Sequence, residues 1–341
     1  MKLLITLDYE LYNGKYGGSI ENCIIKPTWE FLKVLDKYSV KATFFVDTVF
    51  LNRLLVLKEQ NSSLENDWKS IQQQLSYLHA HGHDLQLHLH PQWYHATYED
   101  EKWQSVLSDY KLSDMPRPVV AEMFDKGVSL LNSINNHKTV AYRAGAYCIQ
   151  TLDDYHEFFL KNGLKIDSSV NRNMSSKTPD HQWYDYTNIP KSYIYHFEDD
   201  VTKEKEGGVF LEVSIPSYRM SKLNDVINHI RRYFNNDSKT TWGDGVGSIG
   251  HYEKKKDRLW HKLTSRLHPM RVVASIDGCG AESLDNIFKK EKAREGEYIM
   301  IMGHPKSFTP YSLRLLDKFL AKRQEELESF IIRDFIESRA D

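Results

Sequence analysis

Three short segments carry carboxylates and imidazoles at spacings suited to hydrolytic chemistry. Asp8-Tyr9-Glu10 closes an apolar run starting at Lys2, His88-Leu89-His90-Pro91 closes one starting at Asp84, and Gly303-His304-Pro305 follows Tyr298–Met302. Residues two apart on a strand project from one face, about 6–7 Å apart, so Asp8 pairs with Glu10 and His88 with His90. Side by side, these strands would bring two imidazoles and one carboxylate to a point and leave a second carboxylate free. Two histidines and one acid with open positions make the donor set of a hydrolytic metal site. A lone strand-end histidine is more often a hydrogen-bonded structural residue, and a lone acid there often caps a loop; the matched strand ends favour the metal. His79, His81 and His83 fall at a helix end and the turn at Gly82, where helix-terminal or solvated roles are expected.

Positioning such groups requires parallel strands. Short apolar runs alternate with longer amphipathic stretches along the chain, the pattern of an α/β protein. The strand candidates are Lys2–Leu7, Ala42–Val46, Asp84–Leu89, Thr139–Tyr142, Val209–Ile215, Arg271–Ile276 and Tyr298–Met302, each apolar enough to be covered on both faces. Helices are expected at Pro27–Tyr38, Leu64–His81, Pro118–Asn135, Thr151–Asn162, Lys222–Phe234 and Ala281–Lys292, with Pro27 and Pro118 in first turns. Leu313, Leu316, Leu320, Leu327, Ile331 and Phe335 predict a closing C-terminal amphipathic helix. The expectation is a single domain over 1–341, a distorted (β/α) barrel of about seven parallel strands with surrounding helices, carrying insertions near 171–205 and 235–268. In such a barrel the C-terminal strand ends converge on one mouth.

Composition narrows the partners. The 341 residues carry a formal net charge of −2, which disfavours nucleic-acid binding by bulk electrostatics. Hydrophobic residues at 40% provide for a sizeable core and argue against wholesale disorder. Asp8 interrupts the opening apolar run too early for a secretory core, and eighteen apolar residues never follow one another. With three cysteines, Cys23, Cys148 and Cys279, and no CxxC spacing, a reduced, soluble, cytoplasmic protein without an integral membrane segment is expected. Oligomeric state is left open. Gly245-Val246-Gly247-Ser248-Ile249-Gly250 spells GxGxxG, but no strand precedes it, so a loop is expected rather than a dinucleotide site. Lys254–Lys256 reads as a solvated face.

The motifs, taken in order, resemble the polysaccharide deacetylases of carbohydrate esterase family 4, and the resemblance spans most of the chain. Thr6-Leu7-Asp8-Tyr9-Glu10 looks like the family's first motif, and Lys41-Ala42-Thr43-Phe44-Phe45-Val46 its second strand. Gly82 to Pro91 resembles the histidine motif, and Tyr142-Arg143-Ala144-Gly145-Ala146-Tyr147 the arginine motif. Asp167-Ser168-Ser169 resembles a later strand-end segment, and Gly303-His304-Pro305 the last motif. The first acid pair is Asp-x-Glu where the family has adjacent aspartates. The histidines are two apart rather than four, with Gln92 at the four-residue position, and the arginine motif lacks its usual proline.

The resemblance implies a divalent metal, zinc being the expected ion, held by Glu10, His88 and His90. It implies Asp8 as catalytic base, Arg143 as the cation that orients it and His304 as general acid. Tyr147, Trp93 and Tyr218 are candidates to stack on a sugar ring, with core or rim packing the competing role. Asp167 would tune His304 or close a turn. The implied activity is removal of an N-acyl group, expected to be acetyl, from an amino sugar or carrier-linked saccharide of surface polysaccharide synthesis. The alternatives are hydrolysis of an N-formyl sugar or small cyclic amide, and non-catalytic sugar binding on the same fold.

Overall fold

All seven expected apolar runs contain a strand. The structure, a computed structural model, describes residues 1–341 except 15, 151–154, 179–180, 220–234, 236, 238–239, 248–270, 295, 297 and 338–341. The strands that build the barrel are β1 (Lys2–Tyr9), β2 (Thr43–Asp47), β3 (Asp84–Leu89), β4 (Ala141–Ala144), β5 (Ile166–Asp167), β6 (Ile194–Phe197), β7 (Phe210–Val213), β8 (Ser217–Arg219), β9 (Arg271–Val273), β10 (Tyr298–Gly303) and β11 (Glu328–Phe330). The main sheet runs β6-β7-β5-β4-β3-β2-β1-β10, parallel throughout except for β6 against β7, with β11 parallel to the lower half of β1.

The two sides of this curled sheet are joined by the segments after β7 and before β10. β8 pairs antiparallel with β9, and the chain leaving β9 pairs with β10, Met302 donating to the Ala274 carbonyl at 2.8 Å and receiving the Ile276 N–H at 2.8 Å. The result is the expected distorted barrel.

Strand parity divides the core in two. Leu3, Ile5, Leu7 and Tyr9 of β1 face outward with Phe44, Val46, Leu85, Leu87, Ile299 and Ile301, and pack on the helices. Leu4, Phe45, Ala141, Ile166, Leu211, Val213, Tyr298, Met300 and Met302 form a separate inner cluster with Phe330, Ile332 and Phe335. Buried on both faces, these strands lack hydrophobic alternation, as parallel strands do.

The outer layer holds α1 (Lys26–Asp36), α2 (Thr48–Lys58), α3 (Ser63–Ala80), α4 (Arg117–Asn135), α5 (His156–Asn162), α6 (Leu284–Ala293) and α7 (Pro310–Arg323). Each expected helix lying among the described residues is present, α5 being described from His156; Lys222–Phe234 and Lys254–Lys256 lie outside the described residues. α2 was not foreseen, because Thr48–Leu57 is apolar on nearly every side and shows no single buried face. Asp47 caps its start, accepting the Phe50 N–H at 3.4 Å.

The closing helix is shorter than its apolar spacing suggested. α7 buries Leu313, Leu316 and Leu320 and ends at Arg323, whereas Leu327, Ile331 and Phe335 lie beyond it, around β11 and a last short helix, Asp334–Glu337. β2 pairs with β1 only from Thr6 upward, leaving Lys2–Leu4 with a free edge that β11 fills. An unpaired buried strand edge outweighs helical periodicity. The 171–205 segment is likewise not all loop, since it supplies β6 and a hairpin of Ser175–Thr178 with His181–Asp185. No helix among the described residues is long and apolar enough to cross a membrane.

His83, at the turn between α3 and β3, is structural: its buried Nδ1 accepts the Ala42 N–H at 3.1 Å. Burial, with Lys41 nearby, pushes the imidazole down from 6.5 to about 3. It is neutral in the fold and picks up its proton on unfolding, so its stabilising contribution is complete above about 6.5 and fades as pH falls toward about 3. Linkage puts the loss at about 2 kcal/mol near pH 5. Urea unfolding at neutral and mildly acid pH should show a smaller acid loss for His83→Asn than for the parent; equal losses would refute this assignment.

Candidate active site

Along the barrel interior the inward side chains change from apolar to ionisable. β1 presents Leu4, Thr6 and Asp8 and then Glu10, β3 presents Gln86 and His88 and then His90, and β10 presents Met300 and Met302 and then His304. Parallel register sets Asp47 beside His88 and His88 beside Arg143, so these strand ends share one mouth.

Glu10, His88 and His90 each offer a donor atom within 4.8 Å of the others, and all three are buried. Glu10 Oε2 lies 2.5 Å from His90 Nε2 and 3.5 Å from His88 Nε2. His88 Nδ1 lies 2.7 Å from the Arg143 carbonyl, to which it can only donate, so Nδ1 carries a proton and Nε2 is the ring nitrogen left to face Glu10. That Nε2 is buried and has no hydrogen-bond partner among the described residues. Burial would lower the His88 imidazole, but the Glu10 and Asp8 carboxylates raise it, so this buried nitrogen and the carboxylate call for a positive charge between them, which a bound cation would supply.

Gly145 explains how His90 reaches this position. A Cβ there would sit 2.7 Å from His90 Nδ1 and 2.7 Å from the Leu89 carbonyl, so only glycine lets the ring pack against the backbone after β4. Asn13 Nδ2 lies 3.1 Å from His90 Nε2 and 3.2 Å from Glu10 Oε2. The other Glu10 oxygen, Oε1, accepts from Lys306 Nζ at 2.7 Å, and Lys306 also donates to the Leu11 carbonyl at 2.7 Å. Burial would raise the Glu10 carboxyl, but the Lys306 and His90 charges hold it well below its ordinary range.

Asp8 stands one inward position below Glu10 and accepts from Arg143 Nη1 at 2.8 Å. Arg143 is 0% exposed. Its Nη2 reaches Thr6 Oγ1 at 3.1 Å and Ser168 Oγ at 3.2 Å, its Nε reaches the Ser168 carbonyl at 3.0 Å, and its plane lies over Phe45 at 4.1 Å. Burial raises the Asp8 carboxyl; Arg143 outweighs this, with help from His304, and keeps it ionised.

His304 closes the mouth from β10. Its Nε2 lies 3.4 Å from Asp8 Oδ2 and 3.7 Å from Glu10 Oε1, while Nδ1 lies 2.6 Å from Asp277 Oδ2. Burial alone would lower the imidazole, but the Asp277 and Asp8 carboxylates raise it to about 10, so it is protonated at neutral pH. Asp8, Glu10, Asp47 and Asp277 set four carboxylates against the two fixed cations Arg143 and Lys306. The His304 imidazolium is a third cation, so before His88 and His90 are considered the mouth carries an excess of negative charge, which suits a bound cation.

The four residues considered for substrate contact fare differently. Tyr147 is half-buried at the mouth, its hydroxyl 3.8 Å from Met302 Sδ and its ring edge-on to Tyr184 at 5.9 Å. Trp93 is 0% exposed, wedged between Phe50 at 5.3 Å and Trp103 at 6.4 Å, and offers no face to a sugar. Tyr218 is buried on the barrel flank, on β8. Asp167 does not reach His304: its carboxylate closes a turn by accepting the Ser169 N–H at 3.0 Å and hydroxyl at 2.7 Å, and its neighbour is Glu212, whose carboxyl burial pushes well up. Gln92 is buried outside the metal trio.

Asp277, Lys306, Asp47, Asn13 and Gly145 were not singled out from sequence. Asp277 and Asp47 follow expected strands directly, so the strand-end rule that found Asp8 and His304 also covers them. Burial pushes the Asp47 carboxyl up to about 6, and its Oδ1 accepts the His90 N–H at 3.3 Å. Tyr110, edge-on to Trp183 at 4.6 Å, joins Tyr147 and Tyr184 in the aromatic surroundings; Glu10 is among the neighbours that, after burial, push the Tyr110 hydroxyl to about 12. Gly245, from the GxGxxG string, packs where a Cβ would meet the Tyr12 ring at close range, a steric need unrelated to dinucleotides; Gly250 lies outside the described residues.

No family model and no curated protein matches the chain. Among solved structures, a Mycobacterium smegmatis protein provisionally assigned as a polysaccharide deacetylase aligns at 13% identity over 92% of this chain and 77% of its own, with a TM-score of 0.48. PuuE allantoinase aligns at 11% identity over 98% and 88%, with a TM-score of 0.48. Peptidoglycan deacetylase PdaC of Bacillus subtilis aligns at 11% identity over 95% of each chain, with a TM-score of 0.28. The structural neighbours include polysaccharide deacetylases. At these scores the alignments carry no argument about site or substrate.

Two substitutions test the geometry. Gly145→Ala should displace His90 and lower bound metal per chain, measured by elemental analysis beside a urea curve; full metal content would contradict the packing argument. Asp277→Asn should bring the His304 imidazole down by about one pH unit or more, read from its proton resonances or from the basic limb of a rate profile.

Proposed function

We propose that this protein is a metal-dependent hydrolase that removes an N-acyl group, acetyl in the first instance, from an amino sugar or carrier-linked saccharide. The observation that carries the proposal is the buried trio Glu10, His88 and His90, with an orphaned His88 Nε2, beside one ionised acid and one protonated imidazole. A divalent cation, with zinc expected from the two-nitrogen, one-carboxylate donor set, would be held by these three residues and would supply Lewis acidity toward an acyl oxygen and a water.

This chain's residues would do the proton work. Asp8 commits Oδ1 to Arg143 and turns Oδ2 toward the mouth, an arrangement that keeps a base ionised and aimed. It would take the proton of the attacking water. His304 would deliver its Nε2 proton to the departing amine nitrogen, while Asp277 on Nδ1 fixes the ring and stabilises its charge. Lys306 would hold Glu10 by Oε1 so that Oε2 faces the two imidazoles. Tyr147 would supply aromatic surface for a sugar ring in place of the buried Trp93.

The decisive experiment measures bound metal in the parent and in Glu10→Ala, His88→Ala and His90→Ala, then amine release from N-acetylated, N-formylated and cyclic amide substrates. About one ion per parent chain, its loss in each variant, and release from an N-acetyl amino sugar are expected. Asp8→Asn and His304→Ala should keep metal and lower kcat by at least about a hundredfold. Metal indifferent to the three alanines, or release undiminished by Asp8→Asn, would overturn the proposal. Release from only the formyl or cyclic arm would move the substrate and leave the site.

A further inference from the structure

A concentration of unpaired positive charge lies on the barrel flank, away from the mouth. A cavity of about 380 Å³ is lined by Arg172, Tyr218, Arg219, Arg271, Lys290 and Arg294, drawn from the segment after β5, from β8 and β9 and from α6 and the turn after it. Arg219 and Arg271 are direct register partners on the antiparallel β8–β9 ladder, a placement that is destabilising for like charges. Burial, together with Arg219 and Arg294, lowers the affinity of the Arg271 side chain for its proton.

A row of basic side chains is ordinarily a solvated face, but these are bonded in a particular way. Arg172 is buried and donates only to neutral acceptors, the carbonyls of Pro190, Lys191 and Ser192 and the Ser214 hydroxyl. Arg271 Nη1 donates to Ser217 Oγ at 3.1 Å, and Lys290 Nζ to the Arg219 carbonyl at 2.6 Å. Among the described residues, none of Arg172, Arg219, Arg271 and Lys290 reaches a carboxylate. Arg294 alone approaches one, Glu291 Oε1 at 3.8 Å. Tyr218 on the same wall is 1% exposed, and its hydroxyl lies beside the Glu291 carboxyl without closing a hydrogen bond of good geometry to it. Five cations and the Tyr218 hydroxyl line a space sufficient for about ten waters, more than one tetrahedral anion fills, and no carboxylate is among the lining residues.

The cavity is separate from the hydrolytic mouth. Tyr193 on its wall packs against Tyr298 at 5.9 Å, and Tyr298 begins β10, six residues before His304, or roughly 20 Å along an extended strand.

We propose that this flank cavity binds a phosphate-bearing ligand, with Arg219 and Arg271 gripping its oxyanion and the Tyr218 hydroxyl donating to it. Guanidinium forks match pairs of phosphate oxygens, and an anion between Arg219 and Arg271 turns their repulsion into attraction. The space favours a diphosphate over a single phosphate. This inference does not depend on the hydrolase proposal.

Titration calorimetry on the full-length protein tests it, with inorganic phosphate and pyrophosphate as probes, succinate and chloride as controls, and Arg219→Gln and Arg271→Gln as variants. Saturable binding of pyrophosphate, tighter than phosphate and weakened about tenfold in each variant, is the expected result. Both anions should also raise the melting temperature of the parent more than that of the variants, whose far-ultraviolet dichroism should match the parent. Arg271→Lys, which keeps the charge and loses the fork, should bind between the two. Failure of the parent to bind either phosphate, equal binding by the glutamine variants, or succinate binding as tightly as pyrophosphate would overturn the proposal.

Discussion

The buried pair of Arg143 and Asp8 is the constraint on which the rest of the interior depends. A guanidinium with no exposure survives only if nearly every N–H finds an acceptor, and here Asp8, Thr6 and Ser168 provide them from two other strands while Phe45 covers the plane. Deleting either partner of such a pair leaves an uncompensated charge in the barrel, typically at a cost of about 3–5 kcal/mol. The same contacts set the heights of β1, β2, β4 and the segment after β5 relative to one another. Arg143 also lends its backbone carbonyl to His88 Nδ1, so one residue fixes the ionisation of Asp8 and the tautomer of a candidate metal ligand.

The interior is a polarity gradient written in alternate residues. Below the arginine, Leu4, Ala141, Met300 and the aromatic rings of Phe330 and Phe335 exclude water; above it, Asp8, Glu10, Asp47, His88, His90, Asp277, His304 and Lys306 crowd one opening with Asn13. Charges so close to an apolar plug interact through a medium less screening than water. Asp277 and Lys306 act as counterweights, one holding a proton on His304 and the other holding a negative charge on Glu10.

Much of this was legible from strand ends, because period-two alternation and parallel register leave few places for Asp8, Glu10, His88, His90 and His304 to go. Asp47 and Asp277 obeyed the same rule and went unread because each is a lone acid, with no second carboxylate or imidazole two residues away. Lys306 could be placed only by knowing how the turn after Gly303 folds back on Leu11. Trp93 lies close in sequence to the histidines, but the single turn Pro91–Trp93 rotates it outward against Phe50 and Trp103. The segment after Arg323 kept helical spacing while answering to the unfilled edge of β1. Local periodicity is silent about an edge three hundred residues away.

That edge has a consequence for how the chain reaches its native state. β1 is made before all of its neighbours, and two of the three, β10 and β11, follow it by about three hundred residues. The Ile332 N–H donates to Thr43 Oγ1 at 3.0 Å, and Arg333 reaches Asp84 at 3.2 Å, contacts bridging 289 and 249 positions. During synthesis β1 therefore waits with one flank unsatisfied until residues 298–330 have left the ribosome, a topology of high contact order that folds slowly and exposes a sticky edge meanwhile. The half-made barrel is the vulnerable species, and chaperone dependence should track completion of residues 328–335 rather than of any strand before them.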